Sequence, residues 1–277
     1  MIEIPEANTL AMQLNETVRG GEIKKVFAGR SPHRFAFFFG DPSYYPHLLE
    51  GSAITGAQAT GGQVELFLED GLHLVLNDGV NLRYLEQGEP PPQKHQLLLE
   101  LADGASLVCT VQMYGGLHAF LDGENDNFYY LVGKEKPAPL SWQFDSAYFQ
   151  GLLAAAKPSL SAKAFLATEQ RIPGLGNGVL QDILFNAGIH PKSRLAALSG
   201  EEKERMFSSV KETLARMTEG GGRDTEKDLF GRAGGYASIL SKAALSRPCP
   251  VCGGPILREA YLGGNIYYCP ICQPLKK

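Results

Sequence analysis

Long hydrophobic runs are absent from this chain. Its apolar stretches are short, such as Phe35-Ala36-Phe37-Phe38-Phe39, far below the ~18 residues of a membrane span. A basic stretch at the amino terminus is also lacking, because MIEIPEANT holds two acids in its first six residues. No secretory signal is therefore expected, and the expected location is the cytoplasm, beside the nucleoid in a prokaryote. Cysteine is scarce, with five in 277 residues. A chain of this length buries roughly three quarters of its unfolded surface and needs no disulfides to fold. Internal repeats and low-complexity segments are missing too. What is present is an ordinary globular balance, 44% hydrophobic and 20% charged. That balance excludes wholesale disorder and suits one large domain or two modest ones.

Positive charge also falls short overall. The formal net charge is −4 and the pI about 5.9, which taken globally argues against a polyanionic partner. The total hides an asymmetry. Residues 1–150 carry 9 Lys+Arg against 19 Asp+Glu, whereas residues 151–277 carry 17 against 11. An acidic half joined to a basic half admits a nucleic acid on the basic side. Unequal solvated surfaces with no shared task would give the same count.

Four of the cysteines fall in two pairs, Cys249-Pro-Val-Cys252 and Cys269-Pro-Ile-Cys272, separated by sixteen residues. Each C-x2-C knuckle presents two thiolates, and two knuckles on a hairpin complete a tetrahedron, the spacing of a zinc ribbon. Two disulfides or inert thiols are the alternatives, and the missing signal segment disfavours the first. With all four sulfurs on the metal no coordination position stays open, so one structural zinc ion is expected. The intervening residues read as strand, turn, strand, with Gly263-Gly264-Asn265 at the tip. Cys109, in the apolar run Ser106-Leu107-Val108-Cys109, reads as a buried strand residue.

Residues 7–19 place Leu10, Leu14 and Val18 at helical spacing, ended by Gly20-Gly21. Short strands follow from about 22 to 132: 22–27, 35–39, 63–68, 72–76, 96–101, 106–112, 117–121 and 127–132. Glu69-Asp70-Gly71 and Ala102-Asp103-Gly104 read as hairpin turns, and Asn77-Asp78-Gly79 as a break. Lys134 to Pro139 reads as a linker. Beyond Ser141 the period becomes helical, over 144–156, 161–167, 179–187 and 200–217, with Ser161 and Ser199 as caps. Between the second and third of these lies Ile172-Pro173-Gly174-Leu175-Gly176-Asn177-Gly178. Its glycines permit a tight turn whose free N–H groups suit an anion at a helix start; a plain glycine-rich turn is equally consistent. Glu219 to Asp224 reads as a flexible glycine loop.

This order resembles the formamidopyrimidine-DNA glycosylase and endonuclease VIII family of base-excision repair enzymes. Met1-Ile2-Glu3-Ile4-Pro5-Glu6-Ala7 is similar to the family's amino-terminal MPELPEV. Gly174-Leu175-Gly176-Asn177 with Leu184 to Pro191 (LFNAGIHP) is similar to its helix–two-turn–helix, GVGN…LFxAGIHP. Thr218-Glu219-Gly220-Gly221 resembles the loop after the next helix, and the cysteines match the family's zinc finger. The resemblance implies an α+β fold: an N-terminal helix plus β-sandwich over residues 1–133, a linker at 134–140, a helix–two-turn–helix domain at 141–235 and a zinc finger at 245–277. It implies chemistry in which the terminal amine attacks C1′ of a damaged nucleotide to form a Schiff base, with the adjacent glutamate as general acid/base. An α-amine is apt because its ordinary pKa, ~7.7–8, leaves a neutral fraction near pH 7. The damaged base has to leave the stack to be reached.

Carried over residue by residue, the glutamates are Glu3 and Glu6, and the terminal proline is replaced by Ile2. A β-branched second residue disfavours methionine removal, so the amine is expected on Met1, one residue out of the family register. Gly61-Gly62-Gln63-Val64-Glu65-Leu66 has no counterpart to the strand lysine of GKYLLL. Asp78 falls near the methionine of HLGMSGSLR, and Thr110 to Gly115 replaces the arginine of DPRRFG while Tyr114 keeps its aromatic ring. The arginine at the finger tip is Gly264, and Arg258 lies on the other strand. The DNA-holding residues that remain are Lys163, Gly174, Gly176, Asn177 and Tyr114. Two readings follow. The first is a divergent glycosylase with possible lyase activity, acting on damaged or abasic double-stranded DNA as a monomer, through the amine of Met1 or Ile2 or through water activated by Glu3. The second is a binder of DNA lesions or structures that has lost its chemistry.

Overall fold

Helix α1 (Ile4–Thr17) begins three residues before its apolar spacing indicated. Pro5 suits the first turn, and the Glu6 carboxylate accepts from the Glu3 backbone N–H at 3.2 Å, so the start is capped before the periodic stretch opens. The computed structural model, which describes Met1–Lys277, next runs through β1 (Ile23–Ala28), β2 (Ala36–Phe38), α2 (Tyr45–Leu49), β3 (Ile54–Thr60), β4 (Gln63–Leu68), β5 (Leu72–Leu85), β6 (Leu97–Leu101) and β7 (Ser106–Leu121). The strands order as β1-β6-β7-β5-β4-β3, antiparallel throughout, with β2 parallel to β7.

Strands β5 and β7 correct the expectation of a break at Asn77-Asp78-Gly79. Both run on, and the ladder slips between Asp78↔Gly115 and Val80↔Val111. The residues left over on β7, Gln112-Met113-Tyr114, bulge outward and bend the sheet there. Leu72, Leu74 and Leu76 from one limb share a core with Leu97, Leu99 and Leu107 from the other, and Leu10, Leu14 and Val18 of α1 pack into it. The two layers of the sandwich are limbs of one bent sheet. Cys109 lies buried in this core. The turns at Asp70-Gly71 and Gly104 have the positive φ that tight hairpins require.

The segment read as a strand over 127–132 is a helix, α3 (Phe128–Glu135). The Asn127 side chain caps it, accepting from the N–H groups of Tyr129 and Tyr130. Tyr130 packs edge-on against Phe120 at 5.3 Å between ring centroids, and its hydroxyl donates to Glu65 at 2.7 Å. The aromatic run thus covers the outer face of the sheet instead of joining it, and the linker begins only at Lys136.

The second region holds α4 (Ser146–Ala155), α5 (Ala162–Ala167), α6 (Asn177–Asn186) and α7 (Gly200–Glu219). Ser161 and Ser199 cap α5 and α7 as expected. Phe144, Phe149, Phe165, Ile183, Met206 and Leu214 form its core. Ile2 belongs to the sandwich core and Ile4 to this one. The two isoleucines fasten the chain start into both regions and leave Glu3 at the seam between them.

The stretch at 219–224, expected to be a flexible loop, is anchored. Residues 220–236 leave α7 and cross to the sheet, where Leu229 is fully buried in the sandwich core. Tyr84 N–H donates to the Leu229 carbonyl at 2.9 Å, and Gln13 bonds Asp228 and the Leu229 N–H. The chain ends in a hairpin of β8 (Leu257–Tyr261) and β9 (Gly264–Tyr268). Its tip is Leu262-Gly263, both at positive φ, one residue earlier than expected. No helix is long and apolar enough to cross a membrane.

Candidate active site and nucleic-acid interface

A cleft of about 420 Å³ opens between the sheet and the helical region, lined by Met1, Ile2, Glu3, Gln63, Asp78, Met113, Tyr114 and Asn177 among others. Backbone bonds fix the chain start in it. Ile2 N–H donates to the Asp78 carbonyl at 2.7 Å, and Ile4 N–H to the Gly174 carbonyl at 3.2 Å. The Met1 ammonium pairs with Glu226. Ile2 is 6% exposed with its side chain in the core, so the residue at the family's proline position is a structural plug and the free amine projects one residue further.

Glu3 is buried, and its two carboxylate oxygens accept from Gly178 N–H at 2.9 Å and Val179 N–H at 2.8 Å. These are the unpaired donors of the first turn of α6. The anion at this helix start is therefore the protein's own carboxylate, which corrects the reading of the glycine turn as a free phosphate cradle. Close approach also explains the glycines. A Cβ on Gly176 would lie 2.6 Å from the Glu3 carboxylate carbon, and one on Gly174, at φ +78°, only 2.0 Å from the Gly62 nitrogen. Burial pushes the Glu3 carboxyl above its ordinary range, and the Arg223 charge and the two N–H bonds pull partly against it.

Arg223, which the sequence reading missed, is 3% exposed. Its guanidinium grips Glu6 with two bonds, Nε to Oε1 at 2.9 Å and Nη2 to Oε2 at 2.8 Å. Its Nη1 lies 3.7 Å from Glu3, and its Nη2 lies 4.0 Å from Glu226. Burial raises the Glu6 carboxyl, but the Arg223 bonds and charge outweigh it and leave that group below its ordinary value. Only the GGGRD string hinted at this residue, and its acidic partner lies 217 positions away.

The proposed DNA contacts divide. Tyr114 is 40% exposed, beside Met113 at 66%, and both stand on the β7 bulge at the cleft mouth. Asn177 donates from Nδ2 to the Asn265 carbonyl at 3.0 Å, leaving its Oδ1 without a partner. Lys163 is largely buried rather than extended from an exposed helix face, and its Nζ donates to the Tyr261 carbonyl at 2.7 Å. Gln181, also overlooked, joins α6 to the hairpin by accepting from Tyr267 N–H at 3.0 Å. Gln63, in place of the family's strand lysine, donates to the Tyr129 carbonyl at 2.9 Å.

The four cysteine sulfurs converge within 4.8 Å of one another. Cys249 and Cys272 stand 3.7 Å apart, and Cys252 and Cys269 3.4 Å. A tetrahedron with ~2.3 Å Zn–S bonds needs edges of about 3.8 Å, so the donor set fits one structural zinc ion. Phe185 of α6 packs against the same cluster, so the metal fixes the hairpin beside the helix whose first turn holds Glu3.

Taken together, the fold and the site define a two-region protein whose amino terminus sits in the seam, flanked by a helix–two-turn–helix and a zinc hairpin. Over nearly its whole length the chain is similar to formamidopyrimidine-DNA glycosylases. Formamidopyrimidine-DNA glycosylase of Legionella pneumophila is 29% identical, covering 99% of each chain. That of Thermus thermophilus is 28% identical, covering 99% of this chain and 98% of its own. The crystal structure of MutM (Fpg) from Thermus thermophilus superposes with a TM-score of 0.82 at 27% identity, covering 99% of this chain and 100% of that one. The Lactococcus lactis Fpg solved with abasic-site DNA has a TM-score of 0.83 at 22% identity, covering 98% and 99% of the two chains. No protein-family profile matches the chain.

Proposed function

We propose that this protein is a DNA glycosylase of base-excision repair with accompanying abasic-site lyase activity, acting on damaged double-stranded DNA. The observation that carries the reading is the Glu3 carboxylate, held by the α6 N-terminus and opening on the cleft that Met1 also lines. The relatives' glycosylase names and the abasic DNA bound to the Lactococcus protein support the substrate class. In this reading the Met1 amine gives up a proton, to Glu226 or to water, and attacks C1′ of the everted nucleotide. The C1′–base bond breaks with its electron pair on the base, which takes up the second proton the nitrogen sheds. Glu3 gives its proton to the sugar ring oxygen as the ring opens to the iminium. The iminium acidifies the neighbouring C2′ hydrogens, and loss of one expels the 3′ phosphate.

Asn177 and Tyr114 hold and wedge the duplex in this reading, while the Gly174–Gly176 turn seats Glu3 and Lys163 braces the hairpin behind them. Zinc, bound by Cys249, Cys252, Cys269 and Cys272, shapes the hairpin and takes no part in the chemistry. The sheet region, the helical region and the zinc hairpin divide the work as attack site, grip and brace, in one monomer working in the cytoplasm where the DNA is. The relatives that match over nearly the whole chain carry glycosylase names, so the binder reading is the weaker one.

Borohydride trapping on abasic duplex tests the proposal. A covalent protein–DNA adduct is expected, with intact mass locating the reactive nitrogen on a retained Met1. No adduct, together with no base release from oxidised and alkylated duplexes, overturns it.

A further inference from the structure

We propose that Arg223 is a positioning residue of this reaction, fixing Glu3 against the first turn of α6 and setting the charge with which Glu3 works. The inference rests on the glycosylase reading above. Arg223 is the only guanidinium in contact with Glu3, and it reaches the seam from the helical region's loop. Its fork is taken by Glu6, so it approaches Glu3 edge-on at 3.7 Å without displacing the two N–H bonds. The fit is tight: a Cβ at Gly178 would stand 1.6 Å from Arg223 Nη1 and 2.8 Å from Glu3 Oε1. Glycine at 178 lets cation, carboxylate and helix start share one point. The loop cannot drift, because Leu229 is buried in the sandwich core and Arg223 N–H itself donates to Glu6 at 3.2 Å.

The charged and titratable groups around Glu3 come from every neighbouring element. Glu6 lies on α1, Arg223 and Glu226 on the loop, Asp78 on β5 and Tyr114 on β7, with the terminal amine nearby. Helix α6 contributes backbone N–H groups. Among these, Glu6 and Arg223 act on Glu3 with opposite sign, and that gives the inference a directional test.

The experiment compares pH–rate profiles for single-turnover base release by the full-length zinc-bound protein. Arg223→Gln is expected to move the limb governed by Glu3 to higher pH by about 1–3 units. Glu6→Gln is expected to move it to lower pH, since the repelling carboxylate is gone and the cation is left to Glu3. Arg223→Lys keeps the charge without the fork. It is expected to hold the limb in place while the maximal single-turnover rate falls about tenfold and DNA affinity stays constant. A purely structural arginine would lower the active fraction equally at every pH. Unmoved limbs in both neutral variants, or shifts of the same sign, overturn the inference. If Arg223→Gln does not fold, the sign of the Glu6→Gln shift decides. A wild-type protein that neither releases base nor forms an adduct removes the glycosylase reading itself.

Discussion

The acidic sheet half and the basic helical half use charge differently, and the difference is larger than their totals indicate. In the sheet half the decisive acids are inside: Glu3, Glu6 and Glu65 are all buried, each tied to donors. In the helical half many cations are already engaged. Lys163 and Lys211 hold backbone carbonyls, Arg171 braces its own turn, and Lys192, Arg223 and Lys276 pair with glutamates. The cations left exposed include Lys157, Arg194, Lys242, Arg247 and Arg258. A charge count thus shows which half carries the excess of cations, but contacts decide how much of that charge is available to a polyanion.

The change that disrupts most of the molecule breaks the basic half outright. Removing zinc with a chelator, or Cys269→Ser, is expected to unfold the hairpin and weaken duplex binding by about 100-fold or more. Zinc content measured beside fluorescence anisotropy checks this, and retained affinity in the metal-free protein would count against the hairpin as part of the grip. Next comes the acidic half alone. Glu3→Gln is expected to slow base release by roughly 100- to 10,000-fold with DNA affinity changed by only a few-fold, so the halves separate as chemistry and grip. Equal losses in rate and affinity would merge them.

A third test probes the seam by pH. Glu6 sits below its ordinary value, so its contribution to stability is full above that value and is lost as pH falls through the lower folded one. Urea denaturation between about pH 6 and pH 3 should show a shallower acid loss in Glu6→Gln than in wild type. Identical slopes would mean that the Arg223 pair does not carry it. The smallest effect sharpens the grip. Gly264 faces Asn177, with room for a Cβ at 3.4 Å, and Gly264→Arg is expected to raise duplex affinity a few-fold and steepen its salt dependence by about one ion. An unchanged salt slope would place the hairpin tip away from the phosphates.

Much of this was legible in the sequence where the signal is local. The four-cysteine spacing, the Ser161 and Ser199 caps and the sheet turns at Asp70-Gly71 and Gly104 depend on residues close in the chain, and they formed where expected. The errors have physical causes. The aromatic run at 128–132 carries strand-like residues, but the Asn127 cap and the neighbouring sheet face turned it into a helix. Asn77-Asp78-Gly79 carries turn residues, yet the ladder absorbs them as a bulge. At the site, Glu3 was visible from its motif. What holds Glu3 was not, because α6 and Arg223 meet it from about 175 and 220 residues away. Burial likewise made Ile2 a core residue and turned Lys163 toward the hairpin, and residue type alone announces neither.

Leu229 bears on how the molecule meets its substrate. Swinging the two regions apart about the linker would withdraw this side chain from the sandwich core and break the Tyr84–Leu229 bond, at a cost of about 3 kcal/mol. This latch opposes hinging of the regions, and a distance probe across the cleft is expected to read nearly the same with and without DNA. With the jaws fixed, the duplex has to change shape to bring a nucleotide to Glu3. Lesions that soften the double helix would then be favoured before any base is read.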